Sequence, residues 1–133
     1  MSLLNTMGLS TNAMRAQAIR LNAIASNIAN ADISSKTEDG AYKAKHALFA
    51  EAPASGGGSS VNVVSLVAST APAKAKYDPA DPQANEQGMV WKPNVDLAGE
   101  MSDMIAASRA YQLNAEIANV TRALVNRALA IGQ

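Results

Sequence analysis

The sequence has no cysteine among its 133 residues, and it has a single histidine. Disulfides, thiolate metal sites and cysteine nucleophiles are therefore excluded. Because no cluster of other ligand-type residues accompanies His46, we predict that this side chain is solvated rather than catalytic or metal-binding. We expect no cofactor, no metal ion and no small-molecule substrate.

Aromatic residues and net charge are also scarce. Aromatics make up 4% of the chain, while hydrophobic residues reach 48%, many of them alanine. Since alanine buries little area, the expected core is thin and suited to helix–helix contact. The net charge is zero, which argues against a nucleic-acid binder because such proteins present a basic face. No apolar run reaches the length of about 18 residues that a membrane span needs.

The first long pattern predicts a helix over 4–31, roughly 40 Å in length. Its apolar positions alternate at spacings of three and four, as in the seam of a helix that packs along another helix. We call these positions the N-terminal ladder: Leu4, Met7, Met14, Ala18, Leu21, Ala25 and Ile28. Leu9 and Ile19 lie on nearly the opposite face and are either isolated surface residues or a second packing face. The helix begins a chain without the basic n-region of a secretory signal, so none is expected.

The second long pattern predicts a helix from the cap residue Asp96 to about Ile131, stopped by Gly132. Gly99 is a weak point within it. Two apolar stripes run along it: Leu97, Met101, Met104, Ser108, Tyr111, Ala115, Ala118, Val125 and Leu129 form one, and Ala106, Ala110, Leu113, Ile117, Val120, Leu124 and Ile131 form the other. One partner helix cannot cover both faces. The remaining cover is therefore expected from other molecules.

The residues between the two helices predict a small β-rich insertion. The glycine-rich stretch 54–60 reads as a flexible loop tip. Predicted strands occupy 61–68, 74–77 and 89–91, and 42–51 is compatible with a fourth. The predicted fold is therefore mainly α, and α+β overall. Residues 1–31 and 96–133 form a discontinuous domain of two terminal helices packed as a coiled-coil-like pair, and 32–95 form the insertion.

Several motifs resemble the axial proteins of the bacterial flagellum, which comprise rod, hook and filament subunits. The resemblance covers nearly the whole chain. The stretches 2–5, 21–31 and 107–114 are similar to the signatures common to that family, and 77–82 and 93–96 resemble those of a proximal rod subunit. Lys36 departs from the neutral turn expected there.

The resemblance implies a structural subunit, not an enzyme. Such subunits leave the cell through the flagellar type III export apparatus and assemble in the periplasm as a helical tube that transmits motor torque. The implied partners are other copies of the chain, other rod proteins, and the inner-membrane ring with its adaptor subunit. The predicted subunit contacts are Leu4, Met7, Met14, Leu21, Asn27, Ile28, Asn30, Met104, Arg109, Tyr111, Leu113, Asn114, Ile117, Val120 and Leu124.

Three alternatives remain at this point. The chain is another axial protein, such as the other small proximal rod subunit or a junction protein. It is a small enzyme or ligand-binding domain that uses His46 or Asp81 in the insertion. Or the first helix is a membrane-active amphipathic helix, which its two basic charges make weak.

Overall fold

The computed structural model describes residues 3–54 and 58–131. It contains two long helices packed together and two small sheets between them in the chain, so the predicted α+β, mainly helical fold is confirmed. The elements are α1 (Leu3–Ala29), β1 (Lys45–Pro53), β2 (Ser59–Ala68), β3 (Lys74–Tyr77), β4 (Met89–Lys92) and α2 (Leu97–Ile131). Gly132, the expected stop of α2, and residues 55–57 of the predicted loop tip lie outside the described residues.

Helix α1 ends two residues earlier than the sequence predicted. After Ala29, the Asn30 side chain donates a 2.7 Å hydrogen bond to the carbonyl of Ser26, one turn back. The chain then tightens, since the amide of Ala31 reaches the carbonyl of Ile28. The Ser26 carbonyl also accepts the backbone amide of Asn30 at 3.1 Å, so Asn30 binds the last turn through both its amide groups and the helix ends here.

Helix α2 begins as predicted, directly after Asp96. The carbonyl of Asp96 accepts the first helical hydrogen bond from the amide of Glu100, at 2.9 Å. Gly99 leaves space for the Asp96 side chain, because a Cβ at position 99 would lie 2.6 Å from Oδ2 of Asp96. The glycine that the sequence marked as a weak point makes room for the capping side chain.

The strands form two separate two-stranded sheets, β1 with β2 and β3 with β4. Strand β1 starts at Lys45 rather than at Tyr42, whose hydroxyl donates a hydrogen bond to Oδ1 of Asn27. In the antiparallel β3–β4 pair, Ala75 lies opposite Trp91 and Lys76 opposite Val90. Val90 is fully buried, and it anchors this sheet.

The loop between β3 and β4 is held by one asparagine. Oδ1 of Asn85 accepts hydrogen bonds from the amides of Gln87 and Met89, both at 2.9 Å. Gly88 follows with a φ of +73°, and a Cβ there would lie 2.8 Å from the Tyr77 ring. Glycine is the residue that adopts this left-handed conformation without strain.

The chain divides into two compact units. Unit 1 contains the described residues up to Leu21, those between Ala47 and Ser65, and those from Ile105 onward. Unit 2 contains 22–46 and 66–104. The buried side chains are small in both units: Ser10, Ala16, Ser60, Ala107 and Thr121 in unit 1, and Ala23, Ile24, Asn27, Ala41, Ala44, Val90 and Glu100 in unit 2. The expected thin core is confirmed.

Within the described residues, neither α1 nor α2 is both long and apolar enough to cross a bilayer.

Candidate subunit interface

The buried face of α1 is not the N-terminal ladder. The buried positions are Ser10, Ala16, Ala23, Ile24 and Asn27. Ala16, Ala23 and Asn27 lie nearly opposite the ladder, on the side of Leu9 and Ile19, whereas Ser10 and Ile24 lie roughly 60 to 100° from it. Small side chains let the neighbouring backbone approach closely, which explains why they occupy the inner face. The second packing face, on the side of Leu9 and Ile19, is therefore real, and that the ladder forms a helix-packing seam stays a prediction.

The ladder itself remains largely uncovered. Leu4 is 69% exposed and Met7 37%, whereas Met14, Leu21 and Ile28 are half-buried. The ladder is thus open at Leu4 and Met7 and partly covered further along the helix. That the ladder residues contact other subunits stays a prediction.

One face of α2 packs inward and the other does not. Glu100, Ala107 and Thr121 are buried, and Met104, Asn114, Ala118 and Val125 are half-buried. The second predicted stripe lies roughly 100° away on the helix. Its large members define what we call the exposed strip: Leu113 (65% exposed), Ile117 (46%), Val120 (50%) and Leu124 (45%).

The remaining predicted contact residues on α2 are Arg109, Tyr111 and Asn114, and they differ in exposure and position. Arg109 is exposed, one turn before Leu113. Tyr111 is 39% exposed and lies away from the strip. Asn114 donates a 2.7 Å hydrogen bond to the carbonyl of Ala110 within its own helix. Of these, only Arg109 extends the exposed strip.

Asn27 is the most completely satisfied polar side chain of the fold. It is fully buried. Its Nδ2 donates to the carbonyl of Lys45 at 2.9 Å and to Oε1 of Glu100 at 3.0 Å. Its Oδ1 accepts from the Lys45 amide at 2.8 Å and from the Tyr42 hydroxyl at 2.9 Å. Asn27 therefore fixes α1 to β1 and α2 inside unit 2, and its predicted part in subunit register stays a prediction.

The burial of Glu100 beside Asn27 was not predicted from the sequence. Glu100 is only 7% exposed, and its Oε2 has no hydrogen-bond partner. His46 Nδ1 lies 4.0 Å from Oε1, and the histidine side chain is 59% exposed, which confirms that it is solvated. The sequence showed Glu100 only as an acid in the first turn of a helix, a position that is usually favourable at the surface.

The segment after α1 is tied to β4 by charge and by backbone pairing. Lys92 forms an ion pair with Asp32, and this lowers the pKa of Asp32 and raises that of Lys92. Oδ2 of Asp81 accepts a 2.6 Å hydrogen bond from the Ser34 hydroxyl, which lowers the pKa of Asp81. The backbones of Ser35 and Trp91 pair as an isolated bridge. Asp81 thus has a structural contact here.

A second apolar surface, on the β1–β2 sheet, was also missed. Its exposed members are Leu48, Phe49, Val61, Val64, Leu66 and Val67. The sequence predicted the β2 strand but not these exposed side chains. Helix α1 covers part of the sheet, since Ser60 is buried and its hydroxyl accepts a 3.0 Å hydrogen bond from the Asn12 side chain, and the rest of the sheet stays open.

Within residues 3–54 and 58–131, no group of three or more His, Asp or Glu side chains could hold a metal ion. The polar clusters around Asn27 and Asp81 both lie within unit 2, and Oε2 of Glu100 is left without a hydrogen-bond partner.

Comparison with known proteins decides the family. The family model described as "Flagella basal body rod protein" matches residues 7–33, and the one described as "Flagellar basal body rod FlgEFG protein C-terminal" matches 86–131. The flagellar basal-body rod protein FlgC of Salmonella typhimurium is 41% identical over 137 residues, with the whole of both chains covered. The chain belongs to the FlgC family of flagellar basal-body rod proteins.

Other FlgC proteins show the same full-length match. The Escherichia coli O6:H1 protein is 40% identical, with all of both chains covered. The Borreliella burgdorferi protein is 34% identical, with all of this chain and 99% of the relative covered. The prediction of a proximal rod protein is confirmed. As a FlgC-type protein the chain is a structural subunit located in the flagellar basal-body rod.

Proposed function

We propose that this FlgC-type subunit assembles into the proximal rod through the N-terminal ladder and the exposed strip of α2. The observation that supports this proposal is that Leu113, Ile117, Val120 and Leu124 form one continuous apolar face away from the buried side of α2. A face of this kind marks an interaction site in a soluble protein.

Burial of the exposed strip in an assembly would contribute a substantial free energy of association. Full burial of one large aliphatic side chain contributes about 1.5 to 3 kcal/mol. The four residues of the strip are already partly covered, so about 3 to 6 kcal/mol remains for assembly. That is enough to drive association only when several neighbours contribute, because association itself costs about 4 to 15 kcal/mol. A polymer with many repeated contacts satisfies this condition.

The assembly consistent with these surfaces is a helical tube. A contact between two different faces of identical subunits extends into a helical polymer when its rotation does not close a ring. Residues 1–31 and 96–133 would form its core, and the insertion 32–95 would face outward or contact neighbours. Other copies, other rod proteins, and the inner-membrane ring with its adaptor are the proposed partners, the type III export apparatus is the proposed route, and transmission of torque is the proposed task.

A purely structural function is supported by the relatives of this chain. Relatives of this chain are named as rod proteins rather than enzymes. A reproducible turnover that is lost in a His46→Ala or Asp81→Ala variant would contradict this part of the proposal.

The proposal is tested by placing a charge on the exposed strip. In a strain whose own copy is deleted, Leu113→Asp and Ile117→Asp are expected to abolish swimming and to leave no proximal rod in purified basal bodies. Burying an unpaired carboxylate costs several kcal/mol. The matched control is Asn119→Asp, which adds the same charge at an exposed position on another face of α2 and should swim normally.

Export must be separated from assembly in this experiment. The Leu113→Asp protein should still be exported, and it should accumulate unassembled outside the cytoplasm. Normal swimming and normal rods with Leu113→Asp would overturn the assignment of this face.

A further inference from the structure

Helix α1 and the β1–β2 sheet bound a cavity in unit 1. Its volume is about 180 Å³, and the described residues that line it all belong to that unit. The side chains of Ala16 and Ala52 are small, which leaves this space between the helix and the sheet. Arg15, Pro53 and Val61 also line the cavity and are exposed, so it opens to the solvent.

The cavity carries a single charge, and that charge is positive. Among the described residues that line it, only Arg15 is charged. Within residues 3–54 and 58–131, the Arg15 side chain makes no ion pair within 4.0 Å and no hydrogen bond. Glu51, which precedes the lining residue Ala52 in β1, accepts a hydrogen bond from the Ser59 hydroxyl instead. The guanidinium group is therefore left without an acidic partner in the described part of the chain.

Two polar side chains of the cavity wall supply further hydrogen-bond donors. Ser60 is only 6% exposed, and its hydroxyl oxygen accepts a 3.0 Å hydrogen bond from Nδ2 of Asn12. A hydroxyl that accepts one bond keeps its own proton to donate, and a side-chain amide carries a second N–H. No acceptor among the described residues takes either of these protons. Donors and a positive charge without a carboxylate are the surroundings that an anion requires.

We propose that this cavity binds a small aliphatic carboxylate, with Arg15 as its charged partner and with Asn12 and Ser60 as neutral donors. The planar guanidinium group of arginine matches a carboxylate through two parallel hydrogen bonds. Ile19 and Val61 line the same space, and such apolar walls favour an organic acid over a hydrated inorganic ion. Pockets for drug-sized ligands begin at about 300 Å³, so a cavity of about 180 Å³ suits a short acid.

This carboxylate chemistry has two sources. One is a free acid such as glutarate, and the other is the side chain of a glutamate that a neighbouring protein presents. Two probes separate them: glutarate itself, and a single glutamate residue that is capped at both backbone ends. The probe that binds more tightly identifies the source. The site does not depend on the proposed function, because no residue of the N-terminal ladder or of the exposed strip lines the cavity.

Titration of the isotope-labelled full-length subunit, followed by nuclear magnetic resonance, tests the site. At least one of the two carboxylate probes should cause saturable shifts of the Asn12 side-chain amide and the Ser60 backbone amide. Pentanediol has the carbon chain of glutarate without its charges and should cause none. Inorganic phosphate should bind about tenfold more weakly than the better carboxylate, because it has no apolar surface to bury against the walls.

Substitution of Arg15 tests the charge. Arg15→Met should weaken binding of the better probe by about tenfold or more, because hydrogen bonds to a charged group are the strong ones. The position is exposed, so the fold should be retained. Arg122→Met is the matched control. Arg122 is an exposed arginine of the same unit that does not line the cavity, and its loss should leave the affinity unchanged.

Filling the cavity tests its part separately from the charge. Ala52→Leu places a larger side chain at a half-buried lining position. This variant should bind neither probe although it retains Arg15, while its helical circular dichroism should equal that of the wild type. Unchanged binding in Ala52→Leu would place the anion on the exposed arginine alone and overturn the cavity as its site.

Other results would also overturn the proposal. They are the lack of a saturable shift with either carboxylate, equal affinity of the wild type and Arg15→Met, and binding of pentanediol or phosphate as tight as that of the better carboxylate. None of these results bears on assembly, which the Leu113→Asp variant tests separately.

Discussion

The side-chain amide of Asn27 donates a 3.0 Å hydrogen bond to Oε1 of Glu100, 73 residues further along the chain. This bond joins α1 to α2 within unit 2. Both side chains are buried, so each depends on the other: the amide needs an acceptor, and the carboxylate needs a donor.

Asn27→Ala should therefore be strongly destabilising. The substitution leaves the Lys45 backbone, the Tyr42 hydroxyl and Glu100 without their shared partner, and we expect a loss of about 2 to 4 kcal/mol in the free energy of unfolding of unit 2. Trp91, the single tryptophan, belongs to unit 2 and reports this in urea titrations followed by fluorescence. The control Asn30→Ala removes one bond at a helix end and should cost less than about 1 kcal/mol. Equal losses in the two variants would contradict the account.

Gly88 and Gly8 make a matched pair of glycine positions with opposite expectations. Gly88→Ala forces a left-handed residue against the Tyr77 ring and should cost about 1 to 3 kcal/mol. Gly8 lies within α1 with no other atom within 4 Å of an added Cβ. Gly8→Ala should stabilise that helix by about 0.5 to 1 kcal/mol, measured as higher helical circular dichroism during thermal unfolding. A destabilising Gly8→Ala would contradict the open surroundings of that position.

The Asp32–Lys92 ion pair predicts a dependence of stability on pH at both extremes. The pKa of Asp32 is lowered by Lys92, so its contribution is present above the unfolded value of about 3.9 and is lost as the pH falls through the lower folded value. The pKa of Lys92 is raised by Asp32, so its contribution is present below about 10.4 and is lost as the pH rises through the higher folded value.

Lys92→Met should remove both effects. The variant should be less stable than the wild type between these two pH limits, and the difference should shrink below about pH 4 and above about pH 10. Urea titrations followed by Trp91 fluorescence across this range measure it. A stability difference that stays constant into strong acid would show that Asp32 is not the partner that matters.

The last part of α2 should be poorly protected in a dilute monomer. From Arg122 to Ile131, every residue except Val125 is exposed. Amides with so little buried surface around them open easily. Hydrogen exchange should be fast there and slow near Asn27 and Val90, which are fully buried. Strong protection of the residues after Thr121 in the monomer would contradict the view that neighbours supply their cover.

The sequence predicted the element order of the fold because each element has a clear local signal. The helices follow from alanine-rich heptad patterns, and β3 follows from Lys74–Tyr77 between breakers. The small residues on the inner face of α1 were not predicted to be buried, because such a prediction follows large hydrophobic side chains rather than small ones. Ala16 and Ala23 are buried where larger ladder residues are not. Which face of a helix packs inside its own chain depends on the tertiary structure, and a local sequence pattern does not determine it.

The candidate interface was predicted in part for the same reason. Two apolar stripes on α2 implied that one would stay open, and Leu113 and Ile117 are exposed as that requires. Glu100 could not be recognised as buried, because its partner Asn27 is distant in sequence. The exposed residues of β2 could not be recognised either, because the part of a sheet that a helix covers follows from the complete topology.

The central claim is that the exposed strip of α2 becomes covered when the subunit assembles. Since the chain has no cysteine, Leu113→Cys gives a single site for a thiol-reactive maleimide. We predict rapid labelling of the isolated subunit, protection by about tenfold or more in purified basal bodies, and full labelling once those basal bodies are denatured. Equal labelling rates in the isolated subunit and in intact basal bodies would contradict the claim.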